Sequence, residues 1–146
     1  TSGRIIAYFA CDPAQNNKFT NRDERPGIVV YDGKKYDGPF ATVERLFLSK
    51  SGKNLAYSVG GEKPMILLNK KELGPVGMIS SAAWSPDEKH FAYATSNNRG
   101  KIQVVVDGKV SPGYEHVGRI GWSKDGKFVE YMAVNNGKVF KIKQTR

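Results

Sequence analysis

The sequence predicts an all-β protein made of about four small sheets of short antiparallel strands. Three observations support this prediction: a turn motif that recurs along the chain, short β-branched and aromatic runs between the turns, and a high content of turn-forming residues. The chain has 16 glycines and 7 prolines among 146 residues, above the ~12% that these two residues make up in average proteins. Such a composition favours many turns and few long helices.

The recurring motif begins with a serine, passes through a turn and ends in a strand with a tyrosine. Three copies align, and a degenerate fourth copy keeps the end of the motif: Ser49–Tyr57, Ser85–Tyr93, Ser123–Tyr131 and Arg4–Tyr8. Columns on both sides of the motif stay in register, among them Val43, Ile79 and Val117 before it and Asp32, Asn69 and Asp107 after it. Several columns in register predict a repeat. The predicted units are residues 4–43, 44–79, 80–117 and 118–146, within one domain of residues 1–146.

Each complete unit is expected to hold four strands. In the third unit, Asp107-Gly108 predicts a tight hairpin because both residues tolerate positive φ, and a short fourth strand is expected near residues 114–117. In the motif turn, the serine hydroxyl can accept bonds from backbone N–H groups. The copy at Ser49 lacks both the proline and the aspartate, so a looser turn is expected there. The first unit lacks its inner strand and the last its outer strand.

The best copy of the motif, Trp84–Lys89 followed by Ala92-Tyr93, resembles the WD-like β-propeller repeats of the TolB kind. Their signature is a hydrophobe, Ser-Pro-Asp-Gly-Lys, and then an apolar-Ala-Tyr strand. The resemblance implies a β-propeller or partial propeller of about four blades, two of them incomplete. It also implies a periplasmic, extracellular or envelope-associated binding platform. It says little about activity, because propellers host many functions.

The chain is basic, with a formal net charge of +9 and a pI near 9.7. This charge favours acidic partners such as nucleic acid, anionic lipid or an acidic protein. The basic residues are scattered, however, and no basic stretch is interleaved with aromatic residues as in single-strand-binding proteins. Lysines on turns and strand edges also discourage strand pairing between molecules. Binding of a polyanion is therefore the less favoured alternative.

No motif in the sequence predicts catalysis, a cofactor or a metal site. His90 falls in a motif turn and His116 in an outer strand, where both are expected to be solvated. The single cysteine, Cys11, excludes an internal disulfide and has no activating base nearby in the sequence. No run of 18 apolar residues occurs, so no membrane span is expected. The sequence thus predicts a protein that is not an enzyme.

One segment interrupts the repeat between the strands around Tyr8 and Ile28. It is about ten residues longer than the equivalent loops, and long loops on rigid scaffolds tend to carry function. The candidate binding residues are one apolar and three basic side chains of this segment: Lys18, Phe19, Arg22 and Arg25.

Together these patterns predict a non-catalytic propeller module that serves as a protein-interaction or structural subunit of a larger assembly. Open sheet edges at the two ends would bind a protein partner or a second copy. The alternatives are a ligand-binding accessory domain of a larger hydrolase or receptor, and a polyanion or nucleic-acid binder. The expected location is periplasmic or extracellular.

Overall fold

The computed structural model describes residues 6–11 and 26–146, and every regular element in these ranges is a β-strand. The strands form four sheets of three or four strands, and all strand pairs are antiparallel. The all-β prediction is therefore confirmed. The chain divides into two compact units, one ending at Pro75 and one beginning at Val76, and each is described by itself. That all four repeats form one domain stays a prediction.

The first unit contains two sheets whose strands lie in chain order. The first sheet has three strands: β1 (Ala7–Cys11), β2 (Gly27–Tyr31) and β3 (Lys34–Phe40). The second has four: β4 (Thr42–Leu48), β5 (Leu55–Gly60), β6 (Met65–Leu68) and β7 (Lys71–Pro75). A two-residue hairpin joins the last two strands of each sheet, and both residues of each hairpin have positive φ: Asp32-Gly33 and Asn69-Lys70. These turns match the right-handed strand twist.

The second unit contains the third and fourth sheets. The third has four strands in chain order: β8 (Ile79–Trp84), β9 (Phe91–Ser96), β10 (Ile102–Val106) and β11 (Lys109–Val110). The fourth contains β12 (His116–Val117), β13 (Gly121–Trp122), β14 (Phe128–Asn135) and β15 (Lys138–Thr145). Both β12 and β13 pair with β14, on the edge opposite β15. They are thus two segments of one inner strand, and the fourth sheet has no strand outside β15 in the described residues.

The structure corrects the expected outer strand of the third unit. Only the start of the segment 114–117 pairs as expected: Tyr114 forms an antiparallel bridge with Ile102 of β10, whereas His116–Val117 pairs with β14 of the next sheet. The fourth strand is β11, since the Asp107-Gly108 hairpin returns the chain at once to β10. The outer strands of the first three sheets end at residues 40, 75 and 110, a few residues before the predicted repeat boundaries at 43, 79 and 117.

The three motif turns share one hydrogen-bond pattern. The serine Oγ accepts a backbone N–H five residues later in all three: Asn54 to Ser49 at 3.1 Å, His90 to Ser85 at 3.0 Å and Phe128 to Ser123 at 3.2 Å. The residue three after each serine has positive φ: Gly52, Glu88 and Gly126. The looser turn expected at Ser49 is wrong, because Ser51 takes the aspartate's place and its Oγ accepts the N–H of Lys53 at 3.3 Å.

The aspartates of the other two turns are expected to make the fold less stable in acid. The hydroxyls of Ser85 and Ser123, followed by backbone N–H groups, hold the pKa of Asp87 and of Asp125 below the usual range. A carboxyl with a lowered folded-state pKa stabilises the fold above its unfolded pKa of ~3.9, and that contribution is lost as the pH falls through the folded value. We expect the double variant D87N/D125N to lose less stability than the wild type between about pH 4 and pH 2. Urea denaturation across this range measures the difference, and parallel curves would contradict it.

A repeated tyrosine lies in the core of both units. In the first unit, Val29 of the first sheet packs with Leu55 and Tyr57 of the second. In the second unit, Val104 of the third sheet packs with Tyr131 of the fourth. Burial of apolar side chains on facing sheets is the main stabilising contribution in such layered β-structures.

Candidate functional site

The residues predicted from the inserted loop, Lys18, Phe19, Arg22 and Arg25, lie outside the described residues. Their role as a contact site therefore stays a prediction. Within the described part of the second unit, a different surface combines a groove with an unpaired strand edge.

The groove is an open depression of about 340 Å³ between β15 and the segment that follows β11. Its walls combine aromatic, aliphatic and polar side chains, chiefly those of Ser111, Pro112, Tyr114, Tyr131, Ile142 and Gln144. The rings of Tyr114 and Tyr131 meet edge to face, with centroids 6.2 Å apart. Such a mixture of apolar walls and a few polar groups suits the side chains of a peptide.

Gln144 fixes the floor of this groove. Its amide nitrogen donates to the carbonyls of Val104 (3.3 Å) and Lys109 (3.1 Å), and its amide oxygen accepts the hydroxyl of Tyr131 at 3.0 Å. Burial raises the pKa of Tyr131 to about 12. The phenol therefore keeps its proton at neutral pH, and these residues form a hydrogen-bonded wall of the groove.

The backbone of β15 is unpaired along one edge in the described residues. β15 pairs with β14 over its whole length, from Phe128↔Thr145 to Asn135↔Lys138. Because Asn136-Gly137 is a two-residue hairpin, Asn135 and Lys138 form a hydrogen-bonded pair, and such pairs alternate along an antiparallel ladder. The N–H and C=O groups of Lys141 and Lys143 consequently point away from β14.

Lysines border this edge. The Glu130 carboxylate lies 3.7 Å from the Lys141 ammonium and 3.5 Å from that of Lys143, and Lys143 also lines the groove. Lys143 also lies over the ring of Phe128, at 4.8 Å from its centroid. One carboxylate thus faces two ammonium groups, which leaves the edge positively charged.

His90 is hydrogen-bonded, unlike the solvated residue that was expected. Its Nδ1 lies 2.6 Å from Asp107 Oδ2, and its Nε2 is in contact with the Arg146 guanidinium. In the second sheet, Asn54 and Asn69 occupy the equivalent places and are bonded at 2.9 Å. The His90–Asp107 hydrogen bond therefore joins the motif turn to the later hairpin of its sheet, as the Asn54–Asn69 bond does in the second sheet. This shared position indicates a structural role for the pair. His116 is exposed, as expected.

Metal sites and membrane-spanning helices are two further features to consider in the described residues. No group of three or more His, Cys, Asp and Glu side chains in these residues is arranged to hold a metal ion. The same residues include no helix with the length and apolar character that a membrane crossing requires.

Comparison with solved structures shows the kind of fold. The chain is similar to a structure from Agrobacterium tumefaciens described as TolB, with a TM-score of 0.52 and 18% identity over 84% of this chain and 52% of that chain. It is also similar to the Dos1 propeller, with a TM-score of 0.47 and 17% identity over 82% of this chain and 36% of that chain. No family model and no curated protein sequence matches.

The likeness to the TolB structure, with the four antiparallel sheets, supports the predicted fold: a β-propeller or a part of one. The chain spans about half the length of that TolB structure. At this identity the likeness concerns the fold alone. Membership in the WD-like repeat family stays a prediction.

The sequence contains two signals for the groove and edge that the repeat analysis did not use. Asn136-Gly137 is a strong hairpin signal, and residues 140–143 alternate apolar residues with lysines, as a half-exposed strand does. In the second and third sheets the equivalent strands are joined by longer loops, residues 61–64 and 97–101, so the repeat does not predict this two-residue hairpin.

Proposed function

We propose that this chain is a non-catalytic propeller-type module that acts as a protein-interaction or structural subunit of a larger assembly. The observation that carries the proposal is the exposure of large apolar side chains on the first and fourth sheets. Phe9 of β1 is 59% exposed and Val139 of β15 63%, and Ile6, directly before β1, is 58% exposed. Apolar surface at unpaired sheet edges is costly to leave in water and is typical of binding surfaces.

The polar clusters of the second unit are consistent with a non-catalytic role. The His90–Asp107 pair has the same position as an Asn–Asn pair in the second sheet, and Tyr131 stays protonated. A periplasmic or extracellular location is part of the proposal and rests on the resemblance of the motif turns.

Affinity capture tests the proposal with the tagged chain and an extract of its source organism. We expect the chain to retain a specific protein at physiological salt. Phe9→Ser or Val139→Ser should reduce the amount retained about tenfold or more, since each substitution removes an exposed apolar side chain. Lys34→Ser and Lys138→Ser, which alter exposed polar residues of the same sheets, should retain it. Equal melting temperatures of all variants exclude unfolding as the cause.

Two results would contradict this function. One is a chain that retains no protein and sediments as a monomer at all concentrations. The other is capture of nucleic acid that falls steeply between about 50 and 200 mM salt, which would favour the polyanion alternative.

A further inference from the structure

The first unit gathers six lysines at one end of its two sheets. They lie in three turn segments that are well separated in the sequence: residues 32–35 between β2 and β3, residues 49–54 between β4 and β5, and residues 69–71 between β6 and β7. All six side chains are exposed, and we call this surface the lysine end: Lys34, Lys35, Lys50, Lys53, Lys70 and Lys71. Basic residues that are scattered along the chain are therefore neighbours in the fold.

Hydrogen bonds hold the three turn segments of the lysine end together. The side chains of Asn54 and Asn69, bonded at 2.9 Å, join the motif turn to the later hairpin of the second sheet. The Tyr31 hydroxyl, at the end of β2, donates to the carbonyl of Gly52 in the same motif turn. Strands of a sheet lie about 4.8 Å apart and packed sheets about 10 Å, so each segment is about 10 Å from the next. This distance is close to the screening length of about 8–10 Å in physiological salt, and the charges therefore act together.

The positive charge of the lysine end is a departure from the repeat. In the motif turn, Ser51 stands where the next two copies have Asp87 and Asp125. In the later hairpin, Asn69 stands where the third sheet has Asp107. The aspartate of the fourth sheet forms an ion pair of 3.5 Å with a lysine of its own turn. The motif turn of the second sheet has two lysines and no carboxylate, so this compensation is lost there.

Few carboxylates lie near these lysines. Asp32 belongs to the first turn segment and Glu72 directly follows the last, and both are exposed. The Asp37 carboxylate is half-buried and accepts the Tyr57 hydroxyl. Five of the six lysines form no ion pair with any residue that the structure describes: Lys34, Lys50, Lys53, Lys70 and Lys71. The lysine end therefore has an excess of positive charge that the described residues do not neutralise.

We propose that the lysine end binds the surface of an anionic lipid bilayer, by attraction between its ammonium groups and the lipid phosphates and without insertion of the chain. This inference goes beyond the proposed interaction function and does not depend on it. Clusters of four to eight basic residues are typical of such binding, and each lysine near an anionic bilayer strengthens it about fivefold.

The chemistry of the lysine end favours a bilayer over a folded protein or a single-stranded nucleic acid. Protein interfaces are depleted in lysine and depend on aromatic or arginine side chains, and the three turn segments contain no residue of either kind. Single-stranded nucleic acid stacks its bases on free aromatic faces, whereas the Lys70 ammonium lies over the Tyr36 ring, 4.4 Å from its centroid. Attraction to a bilayer requires only exposed charges on one surface, which these turns supply.

Cosedimentation of the full chain with lipid vesicles is the first test. One set of vesicles is pure phosphatidylcholine, and the other has phosphatidylglycerol as a third of its lipid. We expect the chain to bind the anionic vesicles at least about tenfold more tightly than the neutral ones, since only the former attract lysines. Binding should fall at least about tenfold between about 50 and 200 mM salt, because added ions screen the charges.

Two triple variants with the same net charge locate the surface. One removes three charges of the lysine end, and the other removes three charges at the equivalent repeat positions of the second unit: K50Q/K53Q/K71Q and K109Q/K124Q/K127Q. We expect the first variant to weaken binding to anionic vesicles about a hundredfold and the second less than about fivefold. Circular dichroism and melting temperature show that both variants are folded.

Each alternative gives a distinct result. Equal loss in the two triple variants would show that only net charge matters and would overturn the site. Equal binding to neutral and anionic vesicles, or to neither, would overturn the bilayer proposal. Tighter binding of duplex DNA or of polyglutamate, lost in the first variant alone, would identify a nucleic acid or an acidic protein segment as the partner and refute the bilayer. None of these results depends on protein capture from the extract, so the two proposals can fail separately.

Discussion

Replacing Tyr57 with alanine is expected to lower the free energy of unfolding by about 3–5 kcal/mol, the cost of truncating a fully buried aromatic side chain. Tyr57 is 0% exposed, and its ring meets those of Tyr36 and Phe40 at centroid distances of 6.4 and 6.1 Å. Its hydroxyl donates to the Asp37 carboxylate. Burial, with this bond and the nearby charge, holds the pKa of Tyr57 far above its usual range. The truncation therefore leaves a cavity and a carboxylate without its donor.

Tyr8 provides the matched control for this variant. It occupies the same column of the repeat, but its side chain is 47% exposed, so Tyr8→Ala should change stability by less than about 1 kcal/mol. Tyr57→Phe should cost about 1–3 kcal/mol, because it removes the hydroxyl and keeps the ring. Urea denaturation of the full chain measures all three. A Tyr8→Ala effect as large as that of Tyr57→Ala would show that burial of the side chain does not account for the lost stability.

The tyrosine column shows which parts of the fold could be predicted from the sequence. The repeat identified Tyr57, Tyr93 and Tyr131 as equivalent, and the structure buries all three. Two of them have equivalent aromatic contacts as well: the ring of Phe40 faces Tyr57 as that of Tyr114 faces Tyr131. A side chain that must fill the same space in each unit is preserved in type, so its column is visible in a single sequence.

The groove and edge could not be predicted in the same way. They arise where the fourth unit departs from the repeat, at a short hairpin and at a charged pair that replaces an apolar one. The sequence predicted three strand positions in the last unit, and the described residues have them as β12 with β13, β14 and β15. It did not indicate that residues 111–114 approach β15, because that contact joins two sheets and has no local pattern.

The second large effect is expected at Gly77, where alanine would collide with backbone. A Cβ at this position would lie 2.2 Å from Ser96 Oγ and 2.6 Å from the Ser96 carbonyl oxygen. The segment cannot easily move away, because the N–H of Gly77 donates to Thr95 Oγ1 at 3.0 Å and that of Met78 to Ser96 Oγ at 2.9 Å. Overpacking of this kind costs about 1–3 kcal/mol or more, and the backbone contact favours the upper part of that range.

Gly121→Ala is the matched control, because a Cβ there meets nothing within 4 Å. The free energy of unfolding of the Gly121→Ala chain should be within about 0.5 kcal/mol of the wild-type value, or slightly higher because alanine lowers the entropy of the unfolded state. Adding Ser96→Ala to Gly77→Ala removes the hydroxyl but leaves the carbonyl in place, so part of the lost stability should return. The repeat gives no warning of this constraint, since the equivalent residues are Ala41 and Glu115. Equal stability of the Gly77→Ala and Gly121→Ala chains would show that this close approach is not maintained in solution.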